Sequence, residues 1–151
     1  MVTITTQPSG SAPNGIALAQ QPVIQLRDDA GNALSQAGVT VAAGVLSGPG
    51  GVLRGTAQVQ TSAAGVASFT NLNLFGATGS YVLKFDGGAG SSLIGANATP
   101  VTLTPGTGAK LVLNTAPTTD AQNGVILPQQ PVVALVESSS NPVAQAGVQV
   151  T

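Results

Sequence analysis

The residues able to do chemistry are few and scattered. Asp28-Asp29 is the only adjacent carboxylate pair in the 151 residues, and Asn32 follows it closely. Such oxygen donors in a short loop could face Ca²⁺, a hard cation that takes about six to eight oxygen ligands. A hydrogen-bonded turn needs only local partners. Later in the chain, in a stretch otherwise similar to this one, Glu137-Ser138-Ser139 stands in place of the pair. The acidic pair is therefore not kept, and a turn-stabilising Asp28 is the expectation. Lys84 could be asked for an intramolecular isopeptide bond, but it alternates with Leu83 and Phe85. Strand parity then turns it outward, as a solvated lysine beside Asp86. Asn97-Ala98-Thr99 is a formal N-glycosylation acceptor, weakened by the Pro100 that follows. Gly87-Gly88-Ala89-Gly90 lacks the Lys-Ser/Thr ending of a phosphate loop and leads into no helix.

The chain has no Cys and no His. That removes disulfides, thiol nucleophiles, imidazole bases and the common zinc sites together. With no clustered carboxylates either, general acid–base and covalent catalysis lack their players. No catalytic, cofactor-binding or metal-binding residue is assigned, no cofactor is expected, and the chain is not expected to be an enzyme. Net charge is −1, from four basic and five acidic residues. So few cations cannot neutralise a phosphate backbone or hold an anionic membrane surface, which argues against nucleic-acid and lipid partners. Apolar residues make up 42% of the chain. None of their runs approaches the roughly 18 residues of a membrane helix, so no membrane insertion is expected.

The elements that carry these residues read as strands. Seven segments are rich in Val, Thr, Leu, Ile or Phe and bounded by Gly, Pro, Asn or Ser: Val2–Thr6, Pro22–Asp28, Gly38–Leu46, Thr56–Thr61, Val66–Leu74, Ser80–Asp86 and Thr99–Thr104. No segment shows a capped apolar stripe of helical period. Ser47-Gly48-Pro49-Gly50-Gly51 reads as a loop, and Ala63-Ala64-Gly65 suits a hairpin turn. Ile4, Ile24, Leu26, Val39, Val41, Val59, Phe69, Leu83 and Phe85 fall on the inward parity, with Tyr81 beside them. The fold class that follows is all-β, an antiparallel β-sandwich of about seven strands.

A repeat sets the domain organisation. Setting 110–151 beneath 1–42 aligns the two without a gap, and 17 positions are identical. Among them are Pro22/Pro131, Asn32/Asn141, Gly38/Gly147 and Val41/Val150. The substitutions keep one parity apolar: Ile24 and Leu26 become Val133 and Leu135, while Gln25 and Arg27 become Ala134 and Val136. A period that carries Met1 onto Lys110 is that of a whole sandwich domain, typically about 100 residues, so tandem domains are expected rather than a solenoid. The boundaries are residues 1–106 for a complete domain, 107–109 for a short linker, and 110–151 for the first three strands of a second, truncated copy. Three strands leave an apolar face and an open edge. Either the parent chain is expected to continue, or strands of a neighbouring molecule complete residues 110–151.

Several motifs carry a family resemblance. Thr6-Gln7-Pro8, the stretch QQPVIQLRDDAGN, Gln36-Ala37-Gly38-Val39-Thr40-Val41, Gly65-Val66-Ala67-Ser68-Phe69 and Gly76-Ala77-Thr78-Gly79-Ser80-Tyr81-Val82-Leu83 together resemble the bacterial Ig-like repeats of surface adhesins and exported filament or stalk proteins, invasin- and intimin-like in the broad sense. The resemblance implies an Ig-like sandwich in tandem repeat, an extracellular or bacterial cell-surface location, and a hydroxyl of Tyr81 that caps a backbone group at a tyrosine corner. A plain core aromatic with its hydroxyl at the rim is the alternative for Tyr81. Many relatives are acidic and some bind calcium, whereas only 6% of this chain is charged.

Two functions are in view. The first is a non-catalytic structural repeat unit of an extracellular filament, fibre or adhesin stalk, whose partners are like domains of the same or neighbouring chains. So little charge leaves little to oppose association. The alternative is an Ig-like module that recognises a glycan or host protein through loops such as Ser47–Gly55 and Gly87–Gly95. Sugar sites favour exposed aromatics, and the whole chain has three Phe, one Tyr and no Trp.

Overall fold

The computed structural model describes residues 1–88 and 92–150. Among them the chain is all-β, without a helix. It divides into two compact units, Met1–Thr104 and Pro105–Thr151.

In the first unit the described strands are β1 (Val2–Thr6), β2 (Ser11–Pro13), β3 (Val23–Leu26), β4 (Thr40–Ser47), β5 (Gly51–Arg54), β6 (Gln58–Gln60), β7 (Val66–Ser68), β8 (Asn73–Gly76), β9 (Gly79–Gly87), β10 (Ala96–Asn97) and β11 (Val101–Thr104). One sheet runs β1-β3-β7, and a second runs β2-β11-β9-β4-β6 with β10 alongside β9. Strands β5 and β8 form a separate ribbon.

Period-two alternation decides what these sheets bury. Along β9, Tyr81, Leu83 and Phe85 are fully buried, while Ser80 and Lys84 face solvent. Ile24 and Leu26 of β3 and Ala67 of β7 do the same from the other sheet. Both sets join one apolar cluster that also takes Val41, Phe69, Val101 and Leu103. Two sheets sharing one core is consistent with a β-sandwich. With so few aromatics the centre is aliphatic, and Phe69 meets Phe85 at a centroid distance of 5.4 Å and a tilt of 54°. Ile4, Val39 and Val59, also expected inside, are partly buried against the cluster.

The strand list differs from expectation in instructive places. Val66–Leu74 is not one strand. It breaks after Ser68, where Asn71 turns its amide to the Thr56 hydroxyl at 3.2 Å and its side-chain oxygen accepts from Thr56 N–H at 2.7 Å. The chain then resumes as β8, in a different sheet. The expected loop Ser47–Gly51 is shorter, because Gly51 opens β5. Strand pairing is also not wholly antiparallel: β2 lies parallel to β11, with Ser11 opposite Thr102 and Pro13 opposite Thr104. Segment β2 is only three residues and includes a proline, too short for alternation to show. Its place at the sheet edge tolerates the missing N–H.

The second unit contains two described strands, β12 (Lys110–Thr115) and β13 (Val132–Val136), paired antiparallel. Its internal geometry tracks the start of the first unit when Lys110 is set on Met1. Val2↔Leu26 and Ile4↔Ile24 in β1–β3 correspond to Leu111↔Leu135 and Leu113↔Val133 in β12–β13. The register shift between Ile4 and Thr6 recurs between Leu113 and Thr115. Gln21 Nε2 donates to Leu18 O at 2.9 Å, and Gln130 Nε2 donates to Leu127 O at 3.0 Å. Leu34 N donates to Leu26 O, and Val143 N to Leu135 O, both at 2.9 Å.

Candidate functional site

The Asp28 turn is occupied by its own neighbours. Asp28 Oδ1 accepts from Asn32 N at 2.8 Å, and Oδ2 accepts from Asn32 Nδ2 at 3.1 Å. Gly31, at φ 86°, closes the turn by donating to Asp28 O at 3.1 Å. The hydrogen bonds from Asn32, side chain first and then backbone, hold the Asp28 carboxyl below its ordinary value. Among the described residues no cluster of three or more His, Cys, Asp or Glu could hold a metal ion. In the second unit Glu137 does the work of Asp28. Its Oε1 accepts from Asn141 N at 3.2 Å and from Asn141 Nδ2, and Oε2 accepts from Ser139 N at 3.1 Å. Counting acids along the sequence treats this site as lost. One more methylene lets Glu137 reach the same groups, and what disappears is only the second acid.

The neighbouring cation is also engaged locally. Arg27 Nε donates to Thr3 Oγ1 and Nη1 donates to Gly31 O, both at 2.8 Å. Lys84 sits on the outward face of β9 with Nζ 3.0 Å from Asp86 Oδ2, an exposed pair of the kind that contributes little to stability. Asn97 is exposed on the short strand β10, and the Thr99 N–H of its sequon donates to Gln7 Oε1 at 3.1 Å. Of Gly87-Gly88-Ala89-Gly90, the last two residues lie outside the described residues, as does part of the Gly87–Gly95 loop.

Tyr81 is a buried polar side chain held at both ring and hydroxyl. Its ring is fully buried, and its hydroxyl lies 2.7 Å from both Gly50 O and Ala77 O. One phenolic hydrogen serves these two carbonyls. Gly50 O also accepts from Ala77 N at 2.9 Å. The hydroxyl therefore caps backbone groups, as at a tyrosine corner, rather than sitting at an open rim. Desolvation raises its pKa above the ordinary phenol value. Gly48 and Gly51 lie close against Tyr81: a Cβ at Gly48 would fall 2.3 Å from Tyr81 Cδ1, and one at Gly51 2.6 Å from the hydroxyl. Part of the loop Ser47–Gly55, a candidate binding loop from sequence, is thus engaged by the fold. Its first part straps Tyr81, and Gly51–Arg54 is strand β5, paired with β8. Arg54 ends that strand with its guanidinium carbon 3.5 Å from the centre of the Phe75 ring, a cation–π contact.

A further apolar surface lies in the second unit. Leu111, Leu113, Val133 and Val150 are 45%, 53%, 41% and 55% exposed. Their counterparts one repeat earlier are Val2, Ile4, Ile24 and Val41. Three of these are buried and Ile4 is packed against the core. A groove of about 390 Å³ runs along this face, lined by Leu111, Val133, Leu135, Val143, Val148 and Val150 among others. Comparison with known family models, curated proteins and solved structures finds no match to the chain.

Proposed function

We propose that the chain is a non-catalytic structural unit of an extracellular filament, fibre or adhesin stalk, built from Ig-like sandwich domains in tandem. One observation carries the reading: pairing register, its shift and side-chain-to-backbone hydrogen bonds all recur from the first unit to the second when Lys110 is set on Met1. Recurrence at that depth is what a duplicated domain retains. The strand order supports the Ig-like assignment. Sheets β1-β3-β7 and β2-β11-β9-β4-β6 are ordered like the two faces of such sandwiches, with the N-terminal segment shared between them. The capped hydroxyl of Tyr81 agrees with the corner tyrosine of that fold.

A structural role follows from what the surface offers. The residues best suited to chemistry, Asp28, Arg27 and Lys84, are each satisfied by a near neighbour. The charge is too low to keep like domains apart, which suits a bacterial cell-surface array whose partners are copies of the same domain. The binding-module alternative has less support, since its Ser47–Gly55 loop is tied down by Tyr81 and β8. Negative-stain electron microscopy and light scattering of the concentrated chain test the proposal. End-to-end or lateral assemblies that grow with concentration are expected. Dispersed monomers throughout would overturn it.

A further inference from the structure

In the first unit, the edge of β3 that faces away from β1 is covered. Strand β7 lies antiparallel on it, with Val23 opposite Ser68, Ile24 opposite Ala67 and Gln25 opposite Val66. Leu26 N donates to Gly65 O at 2.9 Å, completing that edge. The apolar side chains brought by this segment are Ala67 and Phe69, both buried. In the second unit, β13 aligns with β3 and keeps its register, yet among the described residues β12 is the only strand paired with it, and on its other side it meets only the Pro142–Val143 segment, through a bridge from Val136 to Pro142 and the bond from Val143 N to Leu135 O. Antiparallel bonding alternates along a strand. Because Leu26 N points at β7, the equivalent Leu135 N points away from β12, and Val133 shares its direction. The face beside this edge is the exposed surface of Leu111, Val133 and Val150.

We infer that the open edge of β13 and its apolar face form a strand-acceptor site, whose occupant is one extended segment with the chemistry of Gly65–Phe69, added antiparallel. The register is given by the repeat: Val132 opposite the Ser68 position, Val133 opposite the Ala67 position and Ala134 opposite the Val66 position. Main-chain bonds to the edge supply the attachment, and an apolar side chain at the Phe69 position supplies the selectivity. A small residue is required at the Ala67 position, because that residue, opposite Ile24, is fully buried in the covered unit. No charge opposes the approach, since Lys110 and Asp120 are the only charged residues of 105–151 besides the buried Glu137. The inference uses the repeat relation of the proposed function and does not need the filament.

The test uses the whole chain at a dilution where it is monomeric and a synthetic peptide of residues 62–70, Ser-Ala-Ala-Gly-Val-Ala-Ser-Phe-Thr. Saturable one-to-one binding is expected, with slowed amide exchange at Val133 and Leu135 and no change in β3. A peptide carrying the F69D change should bind about 10-fold more weakly or worse, the expected loss for one buried aromatic side chain. No saturable binding would overturn the inference. So would equal binding of the two peptides, or protection that falls outside β13. If the chain instead covers this face by self-association that the peptide fails to compete, the occupant is a second copy and the inference fails. Filament growth in microscopy is read separately, so failure of the strand-acceptor site and failure of the structural-unit proposal give different results.

Discussion

Ser140 stands where Gly31 stands, one repeat length on, and holds the same left-handed backbone: φ is 67° at Ser140 and 86° at Gly31. Both donate their N–H to the carbonyl three residues back, Ser140 to Glu137 O at 2.9 Å and Gly31 to Asp28 O at 3.1 Å. Among the described residues Ser140 is the only non-glycine residue at positive φ. The second unit thus keeps the turn geometry of the first with a residue that is strained in it.

That strain predicts a stabilising substitution. A left-handed non-glycine residue costs about 1–2 kcal/mol, and glycine gives back about 0.5–1 kcal/mol through its freer unfolded chain. Ser140→Gly should therefore stabilise the second unit by about 0.5 kcal/mol, and Gly31→Ser should destabilise the first by a similar amount. Amide exchange of β13 and of β3 in urea reads each unit separately. A loss of protection in Ser140→Gly would mean that the serine side chain contributes more than the strain removes.

The fold is legible wherever a strand is long enough to alternate. Tyr81, Leu83 and Phe85 on β9, or Ile24 and Leu26 on β3, declare their inner face by parity alone. The segments that escape are β2, β5 and β10, of two to four residues, where too few side chains exist to show a period. Strand β5 is further hidden by the glycines and proline before it, which signal a loop and do form one until Gly51. At the break between β7 and β8, Asn71 meets Thr56, 15 residues away in sequence, and local pattern does not report such a contact. Chemistry misleads in the other direction. Counting acids at Asp28 and Glu137 hides a shared hydrogen-bonding task that only geometry reveals.

Tyr81 should set the alkaline limit of the first unit. Burial raises its pKa above the ordinary phenol value of 10.0, so the folded state favours the neutral hydroxyl. A raised folded value contributes stability that is full below the unfolded pKa and is lost as pH rises toward the folded one. Thermal stability should therefore fall as pH climbs past that value, and Tyr81→Phe should flatten the fall. At neutral pH the same change deprives the Gly50 and Ala77 carbonyls of their hydroxyl donor, at a cost of about 1–3 kcal/mol. A Tyr81→Phe variant whose melting temperature keeps the full alkaline decline would show that another group controls it.

The chain over that ring should tolerate no side chain at Gly48. A Cβ at Gly48 would lie 2.3 Å from Tyr81 Cδ1 and 2.6 Å from Cε1, and a fully buried ring has no room to swing aside. Gly48→Ala is expected to destabilise the first unit by about 1–3 kcal/mol through overpacking. The cost should shrink when Tyr81 is already Ala, because the two changes share one contact. Urea unfolding of the two single variants and the double variant forms the cycle. Strict additivity would mean that Gly48 is needed for its backbone and not for the space above the ring.

Asp28 separates a turn from a calcium site. Its carboxyl is held below its ordinary value by Asn32, through the side-chain amide first and the backbone N–H second. A depressed folded value contributes stability that is present above the unfolded pKa and lost as pH falls through the folded one. Asp28→Ala should remove this acid-side dependence for the first unit while leaving the second unit unchanged, since Glu137 serves there. A Ca²⁺ site built on Asp28-Asp29 would behave otherwise: calcium would raise the melting temperature of the natural chain and not of Asp28→Ala. Both carboxylate oxygens of Asp28 are already engaged by Asn32, and a cation would have to displace those bonds. Calcium titration followed by melting should therefore leave both proteins unmoved, and a calcium-dependent rise confined to the natural chain would refute the turn assignment.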